Sequence, residues 1–330
     1  MYVGLDISKN EIVSIGMDKE GSLLHRGKYE LYTEEIDRLV DTVGNDSIFV
    51  LEPSTYGVFV YDYLSSKNIK VIAANPGKIQ EIRESDKKTD WEDAKILANR
   101  LRTNNLPTCY LPDRETREQR DLIRHRKSLV DMRSTIKTKM RAILAREGIR
   151  VLYSDITGRV ALKKLNEIAI YGQVQKDAFD RFVRVAEVLN EEIDDYDEKI
   201  YERYELSEDA QRLDTIPGIS RYSAVHIMSA IVDIHRFPTD QELASYAGLV
   251  PKTFQSGEVR RGTHRKHGDK LLTWILVQDA RAAVMRPGKL KRYYLKKKKR
   301  IGDKKAIIAT ARKMVEIIHV MLTRGENYCE

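Results

Sequence analysis

Two apolar runs near the start of the chain each close on a carboxylate, and that pattern limits the available folds more than any other. Tyr2–Ile7 carries Asp6 at its end, and Ser47-Ile-Phe-Val-Leu is followed directly by Glu52. Runs this apolar read as buried strands. An acid in such a strand costs several kcal/mol unless it is paired or holds a metal. Strand ends are also where ligand and metal sites form in open α/β sheets. Around these two runs, Glu11–Met17 and Leu23–Leu31 read as further strands, with Gly21-Ser22 as the turn between them. Ile36, Leu39, Val40 and Val43 recur at helical spacing behind Thr33 as an expected cap. Pro53-Ser-Thr-Tyr-Gly57 breaks the Glu52 run and feeds a helix through Leu64, and Ile69–Ala74 is another strand, closed by Asn75-Pro76-Gly77. A three-strand meander followed by alternating helices and strands predicts an α/β domain with a mixed sheet.

A third acidic feature follows in Lys88-Thr-Asp90-Trp-Glu-Asp93-Ala94, which leads into Ile96, Leu97, Ala98 and Leu101 at helical spacing. Asp90 and Asp93 project from one face of that helix's first turn. Taken alone, the pair is an acidic helix start favoured by the helix dipole. Set beside Asp6 and Glu52, it supplies the second half of a four-carboxylate set. Mg²⁺ prefers a few carboxylates completed by water and phosphate oxygens. Two such ions about 4 Å apart activate a nucleophile and stabilise a leaving oxygen at a phosphodiester.

The 330-residue chain carries a net charge of +8, so a polyanion is the partner its charge favours. Cys109 and Cys329 stand far apart, signalling neither a disulfide framework nor a thiolate zinc site. The chain starts without a basic segment leading into an apolar one, and no apolar run is long enough to span a bilayer. A cytoplasmic location and no membrane partner are expected.

Past Leu106-Pro107 the composition changes. Leu122, Leu129, Ile136 and Ile143 fall at intervals of seven, and Phe179, Phe182, Ala186, Leu189, Ile193, Tyr196 and Ile200 alternate steps of three and four. This is an a/d seam, which predicts a coiled coil, formed either as an antiparallel hairpin within one chain or across a dimer. The basic run Arg114–Arg150 suits a nucleic-acid backbone, whereas the acidic run Glu191–Glu198 does not.

In the last third, Ile216-Pro-Gly218-Ile-Ser220 lies between two helical runs, like a helix-hairpin-helix turn, whose backbone N–H groups can face a phosphate. Thr239-Asp240 caps a helix through Tyr246. Lys252–Asp269 reads as a mobile polar loop that contacts phosphate and contains Ser256, Arg260, Arg261, Arg265 and Lys266. Lys289–Lys305 holds ten Lys/Arg and one acid, Asp303, around Tyr293 and Tyr294. Lys291, Arg292, Lys296, Lys297, Lys298, Lys299 and Arg300 are candidate nucleic-acid contacts, with the tyrosines expected to stack on bases.

Gly-Leu-Asp6-Ile-Ser-Lys, Leu-Glu52-Pro-Ser-Thr-Tyr-Gly and Lys-Thr-Asp90-Trp-Glu-Asp93-Ala together resemble the DEDD-type insertion-sequence transposases. The resemblance implies a RuvC-like, RNase H-related domain over 1–107. A coiled-coil helical region follows over 108–205, and a mostly α-helical C-terminal transposase domain over 206–330. It assigns catalysis and Mg²⁺ (or Mn²⁺) binding to Asp6, Glu52, Asp90 and Asp93. Gly-Leu-Val-Pro…Ser256-Gly…Arg-Arg-Gly resembles the family's C-terminal domain, whose serine forms a covalent phosphoserine with cleaved DNA. No acid near Ser256 offers an obvious base, so the four acids would have to reach it across a domain or subunit boundary. Donor and target DNA, a structured guide (bridge) RNA, and dimers assembling to tetramers are the implied partners. Thr263-His-Arg-Lys-His-Gly-Asp269 departs from the family's Ile-Ser/Thr-Lys-x-Gly-Asn-like run while keeping its positive charge. Three alternatives stand beside this reading: a site-specific DNA invertase, a Holliday-junction-type nuclease using the acids alone, and a non-catalytic nucleic-acid-binding protein.

Overall fold

The structure, a computed structural model, describes residues 1–79, 89–165, 167–250, 252–256, 259–263 and 269–329, with Pro76, 252–256 and 259–263 described by backbone alone. The chain divides into two compact units, Met1–Arg114 and Glu115–Glu330.

The first unit is built on a mixed sheet of β1 (Tyr2–Ile7), β2 (Glu11–Met17), β3 (Leu23–Glu30), β4 (Ile48–Leu51) and β5 (Val71–Ala73), in the order β3-β2-β1-β4-β5. The β1–β2 and β2–β3 pairs are antiparallel, while β1–β4 and β4–β5 are parallel. This arrangement is compatible with a RuvC-like domain.

Side-chain alternation along each strand sorts the sheet into two faces. Val3, Leu5, Ile12, Phe49 and Leu51 face α1 (Thr33–Val43) and α2 (Thr55–Ser66). Val13, Ile15, Met17 and Val50 face α3 (Asp90–Arg102). The expected periodic residues Ile36, Leu39, Val40 and Val43 are the buried stripe of α1. Its N-cap, however, is Tyr32 without a side-chain cap bond. Thr33 is not the cap, because its hydroxyl turns to the Glu34 carboxylate at 3.0 Å.

The second unit begins with two 33-residue helices, α4 (Arg114–Arg146) and α6 (Gln173–Glu205), joined through the short α5 (Arg159–Leu165). They run antiparallel within one chain. Arg126 makes two 2.9 Å bonds to Asp197, and Arg133 bonds Asn190 at 2.7 Å. Beyond these, Met140, Ile143 and Leu144 pack with Phe179, Val183 and Ala186. Every residue of the α6 seam is buried or half-buried, but the buried stripe is wider than a and d, taking in Val183, Asn190 and Tyr204. On α4 only Ile143 of the expected seam is fully enclosed, and Leu122, Leu129 and Ile136 are half-buried.

A separate core at the base of the hairpin joins Ile123, Ile200 and Tyr204 to the C-terminal helices. These are α7 (Glu208–Asp214), α8 (Arg221–Ile231), α9 (Asp240–Tyr246), α10 (Lys270–Met285), α11 (Lys289–Ile301) and α12 (Asp303–Arg324). Thr239 caps α9, as its sequence predicts, and the structure adds a full capping box with Glu242. The Lys252–Asp269 stretch, expected as a loop, contains an antiparallel ribbon of β6 (Lys252–Ser256) and β7 (Val259–Thr263). Among the described residues no helix is long and apolar enough to cross a membrane.

Candidate functional site

Strand register brings Asp6 and Glu52 together. Leu5 pairs with Leu51 across the parallel β1–β4 ladder, so the acids are the next positions at the carboxyl ends of adjacent strands. Asp6 is level with Val13, which packs against Ala94 and Ala98 of α3, so its side chain shares that face. Glu52 stands two positions after Val50, which packs with Leu97 of the same helix, and follows it onto that face. Both acids are half-buried.

The course of α3 places the other two acids. Arg102 at its end donates to the Lys19 carbonyl at 3.0 Å, in the β2–β3 turn beside the start of β1. Midway, α3 lies directly on Gly4, where a Cβ would fall 2.0 Å from the Ala94 carbonyl oxygen and 2.6 Å from the Ala98 nitrogen. The helix therefore runs antiparallel to β1, and its first turn comes over the strand ends that carry Asp6 and Glu52. Thr89 caps that turn, accepting from the Glu92 N–H at 3.3 Å. Asp93 is 8 % exposed, while Asp90 is exposed. Two neighbouring acids read differently from the four: Glu92 is half-buried, where its sequence position suits a solvated charge, and Asp86, which suits the same reading, lies outside the described residues.

The Glu52-Pro-Ser-Thr-Tyr-Gly57 turn is also tightly seated. Ser54 caps α2 by accepting from the Gly57 N–H at 3.0 Å, and a Cβ at Gly57 would lie 2.1 Å from the Glu52 carbonyl oxygen. Cys109 sits beside this corner, its sulfur 3.2 Å from the Ala74 carbonyl oxygen. Burial pushes the Cys109 thiol up, and the Glu52 charge adds to the effect.

Asp6, Glu52, Asp90 and Asp93 thus gather at one end of one sheet face. An all-carboxylate donor set suits a hard divalent cation such as Mg²⁺ and not a soft one. Asp6, Glu52 and Asp93 each have a partner within the protein. Among the described residues, no three His, Cys, Asp or Glu side chains lie close enough to hold a metal ion as they stand.

In the second unit, Ser256 ends β6 as the register partner of Val259, with Arg260 opposite Gln255 and Arg261 opposite Phe254. Arg265 and Lys266 lie outside the described residues. The basic helix α11 exposes Arg292, Lys296, Lys299 and Arg300 and half-buries Lys291. Lys297 lies over the Tyr293 ring at 5.3 Å. Lys298 is paired with Asp303 at 2.9 Å, and its ammonium is held well above the usual lysine range by that bond and by Tyr294. Tyr294 is 8 % exposed and bonds Asp303, so it is part of the core and does not stack on bases as expected.

The Pro217-Gly218 turn joins α7 to α8, with Gly218 at φ +99° pressed against α10, where a Cβ would meet the Asp279 carbonyl oxygen at 2.4 Å. Beneath it, Ser223 donates to the Asp279 carboxylate at 2.7 Å, and burial pushes Asp279 up to about 7. His226 on α8 is 2 % exposed, and burial pushes it down to about 4.

Sequence reasoning did not single out Asp279, His226 or an aromatic–basic group at the sheet edge. In that group Arg26 lies 4.2 Å from the Trp91 ring centroid. The available signal was Trp91 itself, a large aromatic between two acids.

Comparison with known proteins points to a transposase family. Residues 3–148 match a transposase family model of the DEDD, IS110 type, and residues 210–295 match the transposase IS116/IS110/IS902 family. The chain is 27% identical to the transposase for insertion sequence element IS1111A of Coxiella burnetii, over 99% of this chain and 90% of that protein. It is 24% identical to the transposase for insertion sequence element IS1328 of Yersinia enterocolitica, over 98% of this chain and 97% of the relative. An uncharacterised 44.8 kDa protein of insertion element IS116 from Streptomyces clavuligerus is 23% identical, over 98% of this chain and 94% of its own length. The first match contains the four strand-end and helix-start acids and the second the Pro-Gly turn and the Ser256 ribbon, and the chain belongs to the IS110/IS116 family of insertion-sequence transposases.

Proposed function

We propose that this transposase cuts and rejoins DNA phosphodiesters at a divalent-metal site made by Asp6, Glu52, Asp90 and Asp93, with Ser256 as the nucleophile. The observation that carries the reading is the adjacency of Asp6 and Glu52 on parallel strands under the first turn of α3. Bound there, Mg²⁺ (or Mn²⁺) would polarise the phosphodiester and stabilise the departing oxygen. The chain's own part is to fix the carboxylates. Gly4 lets α3 sit on the sheet, and Gly57 and Ser54 hold the Glu52 turn. Ser256, at the end of a strand followed by Gly257, would attack phosphorus as its hydroxyl proton passes to solvent. One bridging P–O bond would break, the departing strand would leave as a protonated hydroxyl end, and the other strand would stay on the protein as a phosphoserine.

Exposed cations on α11, and Arg260 and Arg261 on β7, would hold the DNA backbone. The α7–α8 turn would act as a helix-hairpin-helix phosphate contact and the α4–α6 hairpin as a coiled-coil arm for assembly into dimers and tetramers. The family resemblance supports a bridge RNA that pairs with donor and target DNA.

The test is strand exchange on a supercoiled donor plasmid with Mg²⁺. Asp90→Asn and Asp93→Asn should abolish cleavage, and wild-type cutting by both would sink the metal site. Ser256→Ala should lose the covalent protein–DNA species; cleavage that survives it would identify a nuclease using the acids alone. Sequencing the RNA that copurifies with the protein tests the guide, and ribonuclease treatment that leaves exchange intact would remove it.

A further inference from the structure

We propose that Arg26 on the edge strand β3 is a phosphate-binding residue that guides a DNA strand toward the four carboxylates, an inference that rests on the metal-site reading above. Strand alternation turns Tyr29 into the core under α1 and α2, so Arg26 and Lys28 face the α3 side, the face of Asp6 and Glu52. Lys28 pairs with Val13, and Val13 with Asp6, so Lys28 lies in the same cross-strand row as Asp6, two strand spacings or about 10 Å away. Arg26 is two residues back along the same edge. Its guanidinium lies 4.2 Å from the ring centroid of Trp91, the residue between Asp90 and Glu92. Arg26 thus stacks on an aromatic plate belonging to the acidic turn itself, and Lys28 Nζ lies 5.7 Å from the same ring centroid.

The two edge cations differ in what they can still bind. Lys28 is paired with Glu11 at 3.0 Å. No carboxylate among the described residues pairs with Arg26, which is exposed. A guanidinium lying on an indole keeps its N–H edge in plane and outward, the geometry that takes a phosphate bidentately. Stacking also limits the rotamers lost on binding. Four carboxylates repel a polyanion, and a cation fixed at their margin offsets that repulsion where the strand must pass. The chemistry recognised is a backbone phosphate with no base preference, and the strand is DNA because the neighbouring acids act on DNA under the reading above.

The test uses the full chain, a labelled single-stranded DNA oligonucleotide, EDTA to prevent cutting, and anisotropy across a salt series. Arg26→Gln should lower the slope of log affinity against log salt by about 0.7, the loss of one phosphate contact on a single strand. Arg26→Lys should keep the slope while spreading the positions of Mg²⁺-dependent cuts. An unchanged slope in Arg26→Gln overturns the proposal, and an unchanged slope with a lowered melting temperature shows that the Trp91 contact is only a brace. Loss confined to an RNA oligonucleotide of the same sequence also overturns it. Failure of the metal site is read separately: Asp90→Asn would then cut normally, whatever Arg26→Gln does to the slope.

Discussion

The two units handle charge in opposite ways. The first gathers four acids at one end of a sheet face, under a helix seated on Gly4. The second spreads its positive charge over the outside of α11 and encloses two ionisable groups, Asp279 and His226, in its core. Like charges brought to one end of a sheet face favour a cation there, which is what the proposed cutting of a phosphodiester would use. Dispersed exposed charge loses little on solvation and suits holding a long polyanion. The two buried groups bear on stability, because burial shifts both pKa values.

The largest effect should come from Asp6→Asn or Glu52→Gln, which should reduce strand cleavage to background. Gel-shift binding of the DNA should stay close to wild type, because the exposed cations of the second unit are untouched. Equal loss of binding and cutting would break the division of labour.

Next is Gly4→Ala. Its Cβ would sit 2.0 Å from a backbone oxygen, so α3 must lift, and overpacking of this kind costs about 1–3 kcal/mol or more. Limited proteolysis should release the first unit's fragments while leaving the second unit protected.

Asp279 and His226 sharpen the comparison through pH. The folded value of Asp279, about 7 against 3.8, means that the folded state holds a proton the unfolded state has lost. Its contribution is therefore full below about pH 4 and is lost as pH rises through 7, on the order of 4 kcal/mol in all. His226 is depressed from 6.5 to about 4, so it removes stability as pH falls through that interval, with the opposite slope. The two slopes oppose each other between about pH 4 and 6.5. In Asp279→Asn, urea unfolding should show stability rising with pH across that window, and a slope no steeper than wild type would refute the assignment.

The smallest effect should separate neighbours on α11. Lys296 is exposed, whereas Lys298 is tied to Asp303. Lys296→Gln should reduce the salt slope on duplex DNA by about 0.9, and Lys298→Gln by clearly less. Equal changes would show that the ion pair opens on binding.

Legibility in the sequence followed the same division. The strands of the first unit could be read because apolar runs ending in acids are rare, and their order gave a mixed sheet. The four acids stood at those ends or in a helix's first turn, where a local pattern exposes them. Asp279 was hidden because an acid in the helical run Lys270–Met285 looks like any polar-face residue until the Ser223 contact is known. The β6–β7 ribbon was hidden by composition: Lys-Thr-Phe-Gln-Ser and Val-Arg-Arg-Gly-Thr have strand alternation too weak to outweigh their polar character. Arg26 and Trp91 are far apart in sequence, and only the sheet register joins them.

The α4–α6 pairing has one more consequence. Arg126 meets Asp197 and Arg133 meets Asn190, a seven-residue step on each arm, and separate cores close the tip and the base. Excising seven residues from both arms in this stretch would leave both ends in phase and shorten the hairpin by about 10 Å. The hairpin is in that sense a gauge whose length can be reset in whole heptads. If whatever binds at its tip must reach a fixed point, activity across such a trimmed series will vary with length while the fold does not.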